Sequence, residues 1–319
     1  MPLIATTTRR QFLALSMALA AGGSRAQALP DSRRPIRIVI PAPPGGPADI
    51  LGRALGQHLS AALDDTPVIV DSKPGGASVL AALAVARAAP DGHTLLLTIN
   101  TTHTQVPHMF GKPPYDPFGE FTPITQVYRN GSVLVAHPAL PVNDLKELVE
   151  LSKANGPIQA GSPGAGTNGH LYIEMLNDAG ARLSHIPYKG SADAMRDLLG
   201  GFVKVLFDIR ENRLKVLAVT GPVRLAALPE VKTAREQGFP ALDITGWMGF
   251  FGPAGMQTAV VERLNQALVA AIRKPEIRAR FEPLGLELTG TTAAEFRSIV
   301  RDDYETWGRI IRQTGVKLD

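Results

Sequence analysis

The sequence predicts an α/β protein of two domains, each a mainly parallel sheet flanked by helices. Three observations predict it. The chain has 319 residues, a length that suits two domains or one large one. From Pro35 onward, β-branched and leucine-rich segments alternate with Gly- and Pro-containing turns and longer helical stretches. After residue 156 the same order recurs with an unrelated sequence, which marks a second domain of like architecture and no tandem repeat.

Composition narrows the functional classes. Hydrophobic residues make up 45% and charged residues 19%, a balance that can bury a core and excludes global disorder. The 31 glycines and 26 prolines are spread out, which excludes collagen-like and low-complexity readings. There is no cysteine, which excludes a disulfide scaffold, a Cys-ligated zinc or iron–sulfur site, a thiol nucleophile and a lipidated N-terminal cysteine. The net charge of +4 includes Arg9, Arg10 and Arg25, and residues 1–28 hold no acid. Without those three arginines the basic excess is one, which is no electrostatic case for nucleic acid.

The first element is an address. Thr8-Arg9-Arg10-Gln11-Phe12-Leu13 leads into an apolar run from Leu13 to Ala21 and a small-x-small site at Ala26-Gln27-Ala28. Residues 1–28 thus read as an export signal cleaved near Ala28, placing the mature protein in the periplasm. The Arg9-Arg10 pair before Phe12-Leu13 resembles a twin-arginine signal, with Sec export as the alternative. The apolar run is too short to span a bilayer, and no later run reaches ~18 apolar residues, so the protein is not membrane-embedded.

The mature chain then alternates. Ile36–Ile40 is a strand, Pro43-Pro44-Gly45-Gly46 a turn, and Pro47 to Leu63 a helix with Pro at its first position. Val68–Val70, the turn Lys73-Pro74-Gly75-Gly76, a helix from Ser78 to Ala88 and the strand Thr94–Ile99 complete a βαβαβ unit with right-handed crossovers. In the second unit, strands at 157–160, 183–186 and 203–207 alternate with helices at Asn168–Asp178 and 192–199. Val133–Ala136 and Trp247–Phe251 are candidate crossover strands. They divide the chain into a first domain of residues 29–132 plus 252–319 and a second of residues 133–251. A helix follows from Thr258 to Ile272, and the last opens on a capping box, Thr292-x-x-Glu295. Its stripe of Phe296, Ile299, Val300, Tyr304, Trp307 and Ile311 has core spacing.

Ligands of open parallel sheets bind beyond the carboxyl ends of the strands. The turns there are Pro44-Gly45-Gly46, Asn100-Thr101-Thr102, Ser162 to Thr167, and Tyr188-Lys189-Gly190-Ser191. Glycine admits a ligand to the backbone, and each following helix start offers N–H groups and a partial positive charge. Hydroxyls and the Asn100 amide add neutral hydrogen bonds. Singly, each turn reads as a plain connection. As a set in two matched domains they read as a cleft suited to a small carboxylate.

Catalytic readings fare worse. Gly164-x-Gly166-x-x-Gly169 matches the dinucleotide fingerprint of a nicotinamide-dependent oxidoreductase, but Ile186 to Gly190 lacks the ribose-binding acid expected there. Ser162 sits in a nucleophile-like turn, yet Ala160 occupies the position of the elbow's first glycine. His103 and His108 are five apart around Pro107, which is no helical metal pair. No P-loop lysine follows either Gly-Gly turn. The expectation is a non-enzyme with no cofactor and no metal.

These turns also carry a family resemblance. Pro35-Ile36-Arg37-Ile38-Val39-Ile40-Pro41-Ala42-Pro43-Pro44-Gly45-Gly46-Pro47-Ala48-Asp49 resembles the opening of the Bug-type (Bordetella uptake gene) receptors. These are periplasmic solute-binding proteins of tripartite tricarboxylate transporters. Lys73-Pro74-Gly75-Gly76, Ala89 to Leu95, Pro114 to Pro117, Gly164 to Leu171, Ile186 to Ser191, Leu217 to Thr220, Gly246-Trp247 and Gly252 to Gly255 continue it in order. The resemblance implies a two-domain periplasmic binding protein of the type II-like, Venus-flytrap kind, with two crossover strands. It implies an organic-acid ligand, delivery to membrane transporter subunits or a sensor, and a monomer.

Carried over by motif, Ala42, Pro44, Gly45, Gly46, Asp49, Asn100, Thr101 and Thr102 would line the first-domain side. Ser162, Gly164, Gly166, Thr167, His170, Tyr188, Lys189, Gly190, Ser191 and Asp208 would line the second. Asp49 and His170 either touch ligand or brace these loops. The family often has an aromatic residue at the position of Ala42, so a smaller side chain there leaves room for a bulkier acid. After Asp208 only Ile209 to Leu214 precede Lys215, too few for a full crossover helix. Part of the cleft wall would be missing, or Arg210 and Arg213 would fill it; the plainer reading is two solvated surface arginines. A degenerate, ligand-free interaction module is the alternative to a receptor.

Overall fold

The computed structural model describes residues 33–208 and 214–318. The expected signal (residues 1–28), Arg210, Arg213 and residues 209–213 of the short segment lie outside the described residues.

The chain enters through β1 (Ile36–Ile40), α1 (Pro47–Ala62), β2 (Val68–Ser72), α2 (Val79–Ala86), β3 (Thr94–Ile99), α3 (Asn100–Thr104), α4 (Val106–Met109) and β4 (Phe121–Asn130). It crosses into β5 (Val133–Ala136), α5 (Leu145–Asn155), β6 (Ile158–Ser162), α6 (Asn168–Asp178), β7 (Leu183–Pro187), α7 (Ser191–Leu199), β8 (Val205–Asp208) and β9 (Lys215–Val219). It returns through β10 (Gly246–Pro253), α8 (Thr258–Ile272), α9 (Pro275–Phe281), β11 (Glu287–Leu288) and α10 (Ala293–Thr314).

Two sheets result, with strand orders β11-β4-β10-β3-β1-β2 and β7-β6-β8-β5-β9. In the first lobe β2, β1 and β3 run parallel, and β10, β4 and β11 extend them antiparallel. In the second, β7, β6 and β8 run parallel while β5 lies antiparallel to β8 and β9. Each sheet is therefore mixed. The reversed strands are β5, which receives the outgoing chain, β10, which brings it back, and the short β11. The return strand β10 begins at Gly246 and lies in the first sheet between β3 and β4.

Both faces of each sheet are covered, which explains strands that read as continuous apolar runs. Successive side chains point to opposite faces. Ile38, Ile40, Leu95 and Leu97 join α1, α8 and α9 in one core, while Val39 and Leu96 join α2 and the start of α10 in another. Helix α1 buries Leu51, Leu55 and Leu59 at intervals of one turn. The second sheet repeats this, with Leu134 and Phe207 facing one core and Val135 and Leu206 the other.

The C-terminal helix α10 opens on the expected capping box, with Thr292 Oγ1 accepting the Glu295 N–H and Glu295 accepting the Thr292 N–H. Its stripe is structural but serves both lobes. Phe296 and Val300 pack in the first-lobe core, and Trp307 and Ile311 in the second-lobe core. At the outgoing crossover, Ser132 N donates to Thr220 Oγ1 and Thr220 N to Ser132 O, both at 2.8 Å.

Candidate functional site: two matched helix starts

In the first lobe the turn after β1 ends on Gly46, the N-cap of α1. Ala42 is half-buried against the core, while Pro44 and Gly45 are exposed. Gly45 has φ +81°, a left-handed geometry glycine adopts without strain. Its N–H donates to Asp49 Oδ2 at 3.0 Å, and Arg53 pairs with the same carboxylate at 2.9 Å. Arg53 first, and the Gly45 N–H second, hold Asp49 below the usual carboxylate range. Asp49 is thus the brace of this turn.

Asn100, Thr101 and Thr102 form no open turn; they are the first residues of α3 and are buried. Thr102 Oγ1 lies 2.5 Å from Thr98 Oγ1, and the Tyr115 hydroxyl donates to Thr102 O. Thr101 Oγ1 is buried with no protein partner.

The second lobe repeats the first. Gly166 has φ +74° and precedes the N-cap Thr167 of α6. Its N–H donates to His170 Nδ1 at 3.0 Å, as Gly45 donates to Asp49. In each lobe a left-handed glycine precedes the cap and gives its N–H to the third helical residue. His170 is therefore the second brace. An Nδ1 that accepts leaves the proton on Nε2, which faces Glu174 Oε1 at 3.7 Å. The His170 ring stacks on His185 at 3.8 Å, and His185 Nε2 lies 2.7 Å from Ser162 Oγ. Burial, helped by His170, pushes the His185 imidazole down to about 4.

Ser162 is buried and its hydroxyl donates to Gly164 O at 2.9 Å, while Gly164 N donates to Ser162 Oγ at 3.3 Å. Thr167 Oγ1 also donates to Gly164 O, at 2.7 Å, instead of capping its helix. Tyr188 N donates to Ser162 O, and the Tyr188 hydroxyl to Asp197 Oδ2 at 2.9 Å. Lys189 is exposed, Gly190 is the N-cap of α7, and Ser191 is its first residue. Asp208 ends β8 opposite Val133.

None of α1, α6 and α7 has a side-chain cap, because Gly46 and Gly190 carry no side chain and Thr167 is engaged elsewhere. Their first N–H groups stay open to an anion. The lobes meet where α3 and α6 begin. Asn100 Nδ2 donates to Asn168 Oδ1 at 3.2 Å, Asn168 Nδ2 to Asn100 Oδ1 at 3.3 Å, and Gln105 Nε2 donates to the same Asn168 oxygen. Asn168, Gln105 and His185 escape sequence reasoning. Asn168 was legible only as a helix start, and His185 only as a strand residue.

The catalytic motifs resolve structurally. Gly164-x-Gly166-x-x-Gly169 does lie between a strand and a helix, and a methyl group at Gly169 would come within 2.9 Å of Phe207 O. That glycine lets α6 lie against β8, while β7 ends at Pro187 and runs into Tyr188-Lys189 with no acid. His103 stacks on Phe251 at 3.7 Å, and burial pushes it down to about 3. His108 Nε2 lies 2.9 Å from Tyr304 O. Among the described residues no group of three or more His, Cys, Asp or Glu side chains is placed to hold a metal, and no helix is long and apolar enough to cross a membrane. Two surface hollows of about 490 and 480 Å³ lie elsewhere on the first lobe, beside Gln57 and Arg280 and beside Thr122 and Arg297.

Comparison with known proteins agrees with this geometry. The family described as "Tripartite tricarboxylate transporter family receptor" matches residues 51–316. The periplasmic binding protein BugD is 33% identical, superposes with a TM-score of 0.80, and the match covers 89% of this chain and 98% of BugD. MatC from Rhodopseudomonas palustris, solved with bound malate, is 27% identical with a TM-score of 0.80 over 87% of this chain and 99% of MatC. A further R. palustris protein, solved with adipate, is 25% identical with a TM-score of 0.82 over 89% of this chain and 98% of its own.

Proposed function

From the premise that the chain belongs to the tripartite tricarboxylate transporter receptor family, we propose that it captures a small organic acid between its lobes and delivers it to membrane transporter subunits. The observation that carries this is the pair of matched, uncapped helix starts, each preceded by a braced left-handed glycine. A carboxylate seated there accepts backbone N–H groups and meets two partial positive charges. Arg53 is paired with Asp49, and Lys189, the one Lys or Arg among the expected site residues, is exposed. Recognition would rest on neutral donors, the loop amides and the Thr101 hydroxyl.

The first-side residues of this site are Ala42, Pro44, Gly45, Gly46 and Asn100 to Thr102, with Asp49 as brace. The second-side residues are Gly164, Gly166, Thr167 and Tyr188 to Ser191, with Ser162 and His170 bracing, and with Asp208 at the strand end. The protein acts in the periplasm after removal of residues 1–28, as a monomer, and catalyses no reaction. Malate and adipate, the acids held by the two R. palustris proteins, are the first probes.

The test is a thermal-shift series on the mature protein. A binding acid raises stability by about 2.7 kcal/mol at a hundredfold excess over Kd. A dicarboxylate that raises the melting temperature while its neutral diamide does not supports the reading. A response to neither malate, adipate nor a wider panel of organic acids favours the ligand-free interaction module.

A further inference from the structure

The two lobes touch through a part-buried amide cluster, two of whose members, Asn168 and Gln105, the ligand-binding reading does not use. Asn100 is the first residue of α3 at the end of β3, and Asn168 is the first of α6 after β6. Their amides pair reciprocally at 3.2 and 3.3 Å. Gln105, at the C-terminal end of α3 and fully buried, donates to the Asn168 oxygen as well. Asn168 thus makes three hydrogen bonds, all to the opposite lobe.

The backbone around the cluster leaves room for nothing larger. Gly246, where the returning strand begins, pairs in register with Asn130, where the outgoing strand ends. A methyl group at Gly246 would sit 3.0 Å from Asn168 Nδ2 and 3.2 Å from Asn130 Oδ1. Both chain crossings therefore flank the cluster. Amides so placed make their bonds only when the two helix starts stand close together.

We infer that Asn168, with Asn100 and Gln105, is an inter-lobe latch that holds the jaws together in the ligand-free protein. The inference rests on the proposed receptor reading for its effect on affinity, but not for its effect on shape. A ligand binds a protein whose competent form is already populated without first having to shift that population. Removing the latch lowers the competent fraction and weakens binding in proportion, even though the groups that grip the ligand are unchanged.

Solution X-ray scattering of ligand-free protein tests it directly. Wild type should scatter as the joined form. Asn168→Ala should scatter as a more expanded one, with affinity for a responding acid, malate or adipate, down by about tenfold. Gln105→Met keeps the buried volume and loses the donor, so it should move the same way by a smaller step. Gly246→Ala should expand the protein by pressing a methyl group on the Asn168 amide while every amide side chain is kept. An Asn168→Ala curve identical to wild type, or a wild-type curve already expanded, overturns the latch. Absence of any acid response in wild type overturns the receptor reading and leaves the scattering result standing.

Discussion

The outgoing crossover is the place where one added methyl group should do most harm. A methyl at Gly131 would lie 2.4 Å from Thr220 O, a backbone atom that cannot rotate aside. Relief requires the two segments to part. Parting strains the bonds from Ser132 N to Thr220 Oγ1 and from Thr220 N to Ser132 O, both 2.8 Å long. Overpacking of this kind costs about 1–3 kcal/mol. Each weakened hydrogen bond adds about 1 kcal/mol, so Gly131→Ala should lose about 3–5 kcal/mol. Thr220→Val is the comparator: it removes one side-chain acceptor and leaves the backbone in place, for a loss of about 1–3 kcal/mol. Urea unfolding followed by far-UV circular dichroism reads both from their midpoints. If Gly131→Ala proves no less stable than Thr220→Val, the close approach of the two segments is not a constraint and the reasoning fails.

Three further outcomes follow from buried groups. Burial raises the Asp303 carboxyl to about 6 while Trp247 Nε1 donates to it at 2.6 Å. An acid whose folded value is raised contributes stability below its unfolded value and loses it as pH rises through the folded one, so Asp303→Asn should gain about 2–3 kcal/mol at pH 8 and nothing at pH 3.5. His103, pushed down to about 3, has the opposite linkage: its neutral form suits the core, and stability falls as pH drops below ~6.5. His103→Phe should flatten a thermal-melt profile between pH 6.5 and 4, and an unchanged slope would refute the assignment. Trp307→Ala empties a fully buried site in the second-lobe core and should cost about 3–5 kcal/mol in the same urea assay; a smaller loss would mean that α10 does not hold the second lobe.

The alternation of strands and helices was legible because most apolar runs end on a Gly or Pro turn. The helix at Thr258–Ile272 and the capping box at Thr292 stand as their residues announce. The long strand β4 was not legible, since Pro123 and polar residues at Thr122, Thr125 and Gln126 interrupt its pattern. Asn100 to Thr102 looked like a turn because Asn and Thr favour turns, whereas burial and the Thr98 and Tyr115 contacts make them a helix. The matched braces needed coordinates, because an aspartate and a histidine in the third helical position share no residue type, only an acceptor atom. The amide cluster needed them too, since Asn100 and Asn168 are 68 residues apart.

The central place of β10 carries a consequence for biosynthesis. It fills the gap between β3 and β4, yet well over a hundred residues separate it from either of them in the chain. Until Gly246 to Pro253 emerges from the ribosome, β3 and β4 each present an unpaired edge, the kind of surface that templates aggregation. The second lobe, whose strands run in the chain from Val133 to Val219, can pair its sheet while the first still waits. Nascent chains stalled before residue 246 should therefore need a holdase, and C-terminal truncations should fail in the N-terminal half of the molecule.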